Sequence, residues 1–183
     1  MNKKYIILLI LFLSLLFFFM IQGFVIYNKN PKLSIQNTSK ENSILYFAYG
    51  SNMNLTQMKN RCQDNFKKIS NTILKDYILG FDQSGYANIK EKNGEDVMGV
   101  LYNLNQQCLT NLDGYEGYPN HYNRKWVKVI DLENQKEYQT QAYIQPENNF
   151  NGAPNQSYLQ IIIKGAIENN LPTTYVDYLK SWQ

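Results

Sequence analysis

The sequence predicts an α+β fold with one segment set apart at its start. Three observations carry this reading. Apolar runs of strand length alternate with stretches of helical spacing. Turn residues stand wherever the period changes. An uncharged run of 23 positions occupies residues 5–27.

Only Ser14, Gln22 and Gly23 interrupt that first run of Leu, Ile, Phe and Met. A span needs about 20 such residues, so the run predicts one N-terminal transmembrane helix. Tyr5 and Tyr27 stand at its ends, where interfacial aromatics occur. A cleaved signal has a shorter apolar core and a small-x-small site, which Ile21-Gln22-Gly23 does not supply. The expected order is therefore a tail at 1–4, an anchor at 5–27, a polar linker at 28–43 and one domain at 44–183. The expected localisation is a single-pass membrane protein held through that helix. Lys3 and Lys4 precede it, and Lys29, Lys32 and Lys40 follow. The short tail favours an extracytoplasmic domain, although the charges nearly balance.

In the domain, Ile44 to Tyr49 form an apolar, aromatic strand. Gly50, Ser51 and Asn52 stop it, and Ser51 or Asn52 offers a cap for a helix over 54–61. Residues 66–82 read as extended. Residues 86–90 and 96–103 flank Lys92-Asn93-Gly94, a good hairpin turn. Asn105 opens a helix over 105–114. Residues 121–131 and 136–145 read as a second hairpin. Asn155 begins a helix that runs to Glu168. Leu171-Pro172 breaks it, and a last short helix ends near Trp182.

The net charge is +3, but five lysines and one glutamate fall within 1–43. The domain keeps 13 basic and 14 acidic side chains, so no nucleic-acid surface is expected. His121 is the single histidine, and the two cysteines, Cys62 and Cys108, make no CxxC. A zinc site is not expected. Two buried thiols are the expectation for the cysteines, with one disulfide left open.

The junction at 49–53 points backbone N–H groups at one spot beside a helix start, a place for anionic oxygen. An ordinary tight turn is the alternative. The heptapeptide Tyr46-Phe-Ala-Tyr-Gly-Ser-Asn52, continued by Met53, resembles the N-terminal signature of the γ-glutamylcyclotransferase family. Leu-Asp-Gly-Tyr-Glu-Gly at 112–117 is similar to the element in which that family carries its catalytic glutamate, which falls on Glu116. Tyr122-Asn-Arg124 looks like the Tyr-x-Arg of the next family strand. Pro154 to Pro172, with Tyr158, Ile162, Gly165, Ala166 and Glu168, resembles the C-terminal helix region of the animal-type enzyme. The stretch Gly117-Tyr-Pro-Asn-His121 departs from that enzyme, being one residue shorter.

The resemblance implies a small mixed β-barrel with flanking helices. It also implies an intramolecular reaction, in which the α-amine of a γ-glutamyl compound attacks its own γ-carbonyl. The products are 5-oxoproline and an amino acid or amine, with no cofactor and no metal. Glu116 is the expected acid–base group. Tyr49, Gly50, Ser51, Asn52, Met53, Tyr122, Arg124 and Tyr143 are the expected substrate-binding residues. The expected partner is a small γ-glutamyl molecule. Asp113 competes with Glu116, and Arg124 has a surface ion pair as its alternative. Ser51, or Cys108 with His121, would serve a covalent mechanism instead. Two other readings stay open: release of a γ-glutamyl protecting group from a biosynthetic amine or a γ-glutamyl-ε-lysine, and a non-catalytic binding module.

Overall fold

A computed structural model describes residues 43–146 and 150–183. Five strands carry most of it: β1 (Ile44–Ala48), β2 (Phe66–Phe81), β3 (Ala87–Leu104), β4 (Asn123–Asp131) and β5 (Glu137–Ile144). They close into a barrel in the order β1-β3-β2-β4-β5. Neighbours are antiparallel except at the closure, where Tyr46 of β1 pairs in parallel with Gln141 of β5. Four helices flank the strands: α1 (Leu55–Cys62), α2 (Gln106–Glu116), α3 (Gln156–Glu168) and α4 (Thr173–Lys180). The expected mixed barrel with flanking helices is what the chain forms.

The alternation read in the sequence decides which faces are buried. Phe47, Val97, Val100, Leu101, Tyr102 and Val129 are fully buried in the strands. Met58, Leu112, Leu159, Ile162 and Leu179 come to the same core from the four helices. Gly99 lets β3 lie against β1, since a Cβ there would stand 2.3 Å from the Ala48 carbonyl oxygen. Gly165 does the same for α3. A Cβ at that position would stand 2.6 Å from the Asn54 nitrogen and 2.8 Å from the Met53 carbonyl carbon.

Four expectations are corrected. The first is the membrane anchor. Among the described residues no helix is long and apolar enough to cross a membrane. The longest, α3, has 13 residues, or about 20 Å at 1.5 Å per residue, against a hydrocarbon core of about 30 Å. The expected span at 5–27 and the linker up to residue 42 lie outside the described residues. The transmembrane helix, the membrane contact and the single-pass localisation are therefore withdrawn, and the fold is the barrel with its helices.

The second concerns Lys92-Asn93-Gly94, which does not reverse the chain. Tyr77 faces Glu91 and Lys75 faces Asp96, so four residues of β3 bulge against Asp76. Gly94 takes a φ of 80° there, and its N–H donates to the Asp76 carboxylate at 2.9 Å. The left-handed tolerance of Asn-Gly serves a bulge rather than a turn. The reversal lies at Asp82–Tyr86 instead. There the Asp82 carboxylate accepts the Ser84 and Tyr86 N–H groups at 2.9 Å each, and Gly85 has a φ of 83°.

The third correction is at the cysteines. Cys62 and Cys108 are joined as a disulfide across a separation of 46 residues, with neither thiol free. The bridge ties the last residue of α1 to the first turn of α2. The fourth is the end of α2, which continues to Glu116 instead of stopping at 114.

A bridge that closes a loop of this length restricts the unfolded chain. Reduction, or the double change Cys62→Ala and Cys108→Ala, is expected to lower the unfolding free energy by about 2–4 kcal/mol. Denaturant unfolding of oxidised and reduced protein checks this, and coincident midpoints would show that the bridge adds nothing.

Candidate active site

β1 delivers Tyr46 and then Tyr49 to one end of the barrel. Beyond Gly50 the chain makes a single 3-10 turn at Ser51–Met53. Inside it the Met53 N–H donates to the Gly50 carbonyl and the Asn54 N–H to the Ser51 carbonyl, both at 3.0 Å. Asn54 then caps α1 by accepting the Gln57 N–H at 3.0 Å, so the cap is neither Ser51 nor Asn52. The turn is held from below. Asn169 donates to the Met53 carbonyl at 2.7 Å, and Asn54 Nδ2 donates to Glu168 at 2.9 Å.

Gly50 has a φ of −109°, outside the left-handed region. What the missing side chain provides is room. A Cβ would lie 3.2 Å from the Tyr158 hydroxyl and 3.5 Å from Ala87. Together with Ser51 and Asn52 these residues form one wall of a small pocket, completed by Tyr46, Tyr49, Tyr122, Tyr143 and Glu116. About 270 Å³ of it is unfilled by atoms, part of that open to solvent.

α2 brings Glu116 to this pocket as its last residue. The helix stops there because Gly117 takes a left-handed φ of 62°. Asn52 Nδ2 and Arg61 Nη1 both donate to Glu116 Oε1 at 3.0 Å. Arg61 also donates to Asn52 Oδ1 at 2.8 Å, and Asn52 donates to the Tyr46 hydroxyl at 2.9 Å. Among the described residues nothing donates to Oε2. Burial raises the Glu116 carboxyl above the usual carboxylate range, against the opposing pull of Arg61 and Asn52. Burial likewise pushes the Tyr46, Tyr49, Tyr122, Tyr143 and Tyr158 hydroxyls above the phenol range, so they remain neutral.

The other expected residues divide. Tyr49, Gly50, Ser51, Asn52, Tyr122 and Tyr143 all reach the pocket. The Tyr49 hydroxyl donates to the Tyr143 carbonyl, and the Tyr122 hydroxyl to the Ala87 carbonyl at 2.7 Å. Met53 is fully buried in the core beneath, with its N–H spent in the turn. Arg124 stands behind the wall. Its Nε lies 3.5 Å from Asp113 Oδ1, and its guanidinium lies 4.4 Å from the centre of the Tyr118 ring. Asp113 accepts the Tyr143 hydroxyl at 2.7 Å, so it serves that buttress and not the pocket. Cys108 is bridged and carries no thiol. His121 Nε2 lies 3.2 Å from Gln145 Nε2 and 3.7 Å from Asp82. Among the described residues no three His, Cys, Asp or Glu side chains group to hold a metal ion.

Tyr46, Ala87 and Tyr158 are the pocket residues that sequence reasoning passed over. It also passed over Arg61, which is outside the lining but bonds Glu116. Tyr46 and Tyr158 lay within the quoted motifs. Arg61 had no local signal beyond being one of two arginines.

Residues 46–161 match the family described as "Gamma-glutamyl cyclotransferase, AIG2-like". The chain is 35% identical to the human protein "Gamma-glutamylcyclotransferase" over 153 residues, which is 77% of this chain and 79% of that one. To the bovine protein of the same name it is 32% identical over 149 residues, 76% and 78% of the two chains. Among solved structures it superposes on "Gamma-glutamyl cyclotransferase" with a TM-score of 0.69 at 32% identity, covering 75% of this chain and 86% of that. YkqA from Bacillus subtilis gives a TM-score of 0.66 at 27% identity, covering 78% of this chain and 54% of that one.

The raised carboxyl has a consequence for stability. In the unfolded chain Glu116 ionises at its ordinary value, while in the folded chain it holds its proton to higher pH. Charging it is the costlier event in the folded state, so it withdraws stability as pH rises through the ordinary carboxylate range toward the raised value. Glu116→Gln carries no such charge. Melting curves from pH 4 to pH 7 are expected to move in favour of the variant relative to wild type. A difference that stayed flat or reversed would contradict the direction.

Proposed function

Because the chain belongs to the gamma-glutamyl cyclotransferase, AIG2-like family, we propose that Glu116 carries protons in the cyclisation of a small γ-glutamyl compound bound in the tyrosine-walled pocket. The chain is an enzyme of the γ-glutamylcyclotransferase kind. In the proposed reaction the substrate's α-ammonium gives a proton to the Glu116 carboxylate. The freed amine attacks the γ-carbonyl carbon of the same molecule, and a five-membered ring closes. The tetrahedral oxyanion collapses as the old C–N bond breaks. The departing nitrogen takes that proton from Glu116, and the ring nitrogen's surplus proton follows through the regenerated carboxylate, so the amine leaves as an ammonium. The products are 5-oxoproline and an amine. Nucleophile and electrophile sit in one molecule, so holding them in register supplies much of the rate.

One observation supports this assignment above the others. Glu116 lines the pocket, and its Oε1 accepts two fixed donors, which leaves Oε2 without a donor among the described residues. A carboxyl lifted by burial matches its proton affinity to both halves of the shuttle. Neutral tyrosine hydroxyls and the N–H groups of the 51–52 turn are the donors at hand for the oxyanion. The Cys108–His121 alternative lacks its parts, since Cys108 is bridged and His121 is turned to Gln145 and Asp82. The leaving amine, whether an amino acid, a protected biosynthetic amine or an ε-lysine, is read out by the assay below.

Glu116→Gln is expected to lower turnover about 10²–10⁴-fold in a 5-oxoproline assay over a panel of γ-glutamyl dipeptides. Near wild-type turnover would refute the role. A γ-glutamyl dipeptide acetylated at its α-amine is expected to be inert, because its nucleophile is blocked. Free glutamate as the main product, or cleavage of the acetylated peptide, would point to a protein nucleophile instead.

A further inference from the structure

Arg61 is held by the helix that carries Glu116. Its carbonyl accepts Asn111 Nδ2 at 3.0 Å, and Asn111 lies on α2. Its neighbour Cys62 is bridged to Cys108, also on α2. Its guanidinium lies 4.9 Å from the centre of the Tyr115 ring, which is on α2 as well. From this frame Nη1 reaches Glu116 Oε1 and Asn52 Oδ1 at once. The pair is sheltered, with 19% of the Arg61 and 15% of the Glu116 side chain exposed. Loose surface pairs lack such an arrangement, and they contribute little.

A carboxylate has two equivalent oxygens and rotates readily about its last bond. Two donors on one oxygen break that equivalence and fix which oxygen meets the substrate. We propose that Arg61 is a positioning residue for the cyclisation: with Asn52 it holds Glu116 by Oε1, which fixes the carboxylate's orientation and leaves Oε2 for the substrate. The proposal rests on Glu116 as the proton carrier.

The charged and titratable groups around Glu116 give Arg61 this weight. Burial lifts the carboxyl, and Arg61 is the largest influence opposing it. The other nearby basic side chain is His121, in the loop before β4, about half exposed and 3.7 Å from Asp82. From β1 come Tyr46 and Tyr49, from β5 Tyr143, from the start of β4 Tyr122 and from α3 Tyr158. All five hydroxyls stay neutral. Without Arg61 the lift from burial loses its largest opponent, leaving Asn52 and His121 against it, and proton loss from the carboxyl becomes harder.

The test compares Arg61→Met and Arg61→Lys with wild type in pH profiles of kcat and kcat/KM, using one γ-glutamyl dipeptide. Arg61→Met is expected to move the acid limb of kcat/KM upward by about one to two pH units, the value of a charge-assisted bond. Turnover near neutrality should fall about tenfold or more and recover at higher pH. Arg61→Lys keeps the charge but not the planar fork. Its limb should stay near wild type while kcat falls. In a Glu116→Gln background, Arg61→Met should cost little more, because the group it positions is gone.

Three results would overturn the proposal. One is a raised KM with an unmoved limb, the mark of a residue that binds substrate carboxylate. Another is a lowered melting temperature with an unmoved limb in the folded fraction, the mark of a purely structural residue. The third is wild-type kcat in Arg61→Lys, which also decides the matter if Arg61→Met does not fold. Loss of the Glu116 reading is told apart by Glu116→Gln alone, which would then turn over freely whatever Arg61 does.

Discussion

With Gly165 at the contact, α3 lies directly on the backbone of Met53 and Asn54. The turn between β1 and α1 is thereby clamped between a helix and the barrel wall. Asn169 fastens the Met53 carbonyl, and the Tyr102 hydroxyl lies 3.4 Å from the same oxygen. Tyr158 stands two helical turns before Gly165, on the same face, and so comes over the pocket where Gly50 leaves space for its hydroxyl. Asn52, fixed by the clamped turn, is then in place to hold Glu116. Any residue larger than glycine at 165 would push the helix away and loosen all three.

Electrostatically the site is one ionisable carboxyl set among phenols that do not ionise. The same desolvation acts on both kinds of group. For the tyrosines it preserves a proton that was staying anyway, so they remain donors at any ordinary pH. For Glu116 it raises the carboxyl, the direction that the proposed shuttle calls for. Asp113, one turn earlier on α2, shows the contrast. Arg124 and Tyr143 engage it, and it ends as part of the wall.

Legibility followed the range of the interactions. The β1 strand and the starts of the helices at 106–116 and 156–168 were readable because their signals are local, apolar period and an Asn cap, whereas the end of the first helix and the cap after β1 were misread. Glu116 was readable through its motif. Arg61 was not, because its role depends on a helix 50 residues on and on a disulfide that no spacing announces. The Asn93-Gly94 pair shows a different failure. Its backbone preference was recognised, but a left-handed glycine suits a bulge as well as a turn, and the long pairing of β2 with β3 decided between them. The expected anchor rested on composition alone, and no helix among the described residues resembles one.

The barrel closes through one parallel pair, Tyr46 with Gln141, while β2 and β3 run together for almost their whole length. Across this thin seam the Tyr49 hydroxyl bonds the Tyr143 carbonyl, and the pocket lies between those residues. A molecule filling the pocket touches the first strand on one side and the last on the other. Binding energy and closure of the ring are then linked quantities, because whatever favours the filled pocket favours the shut seam by the same amount. The closing seam and the pocket thus share Tyr46, Tyr49 and Tyr143, and one measurement of seam stability reads both.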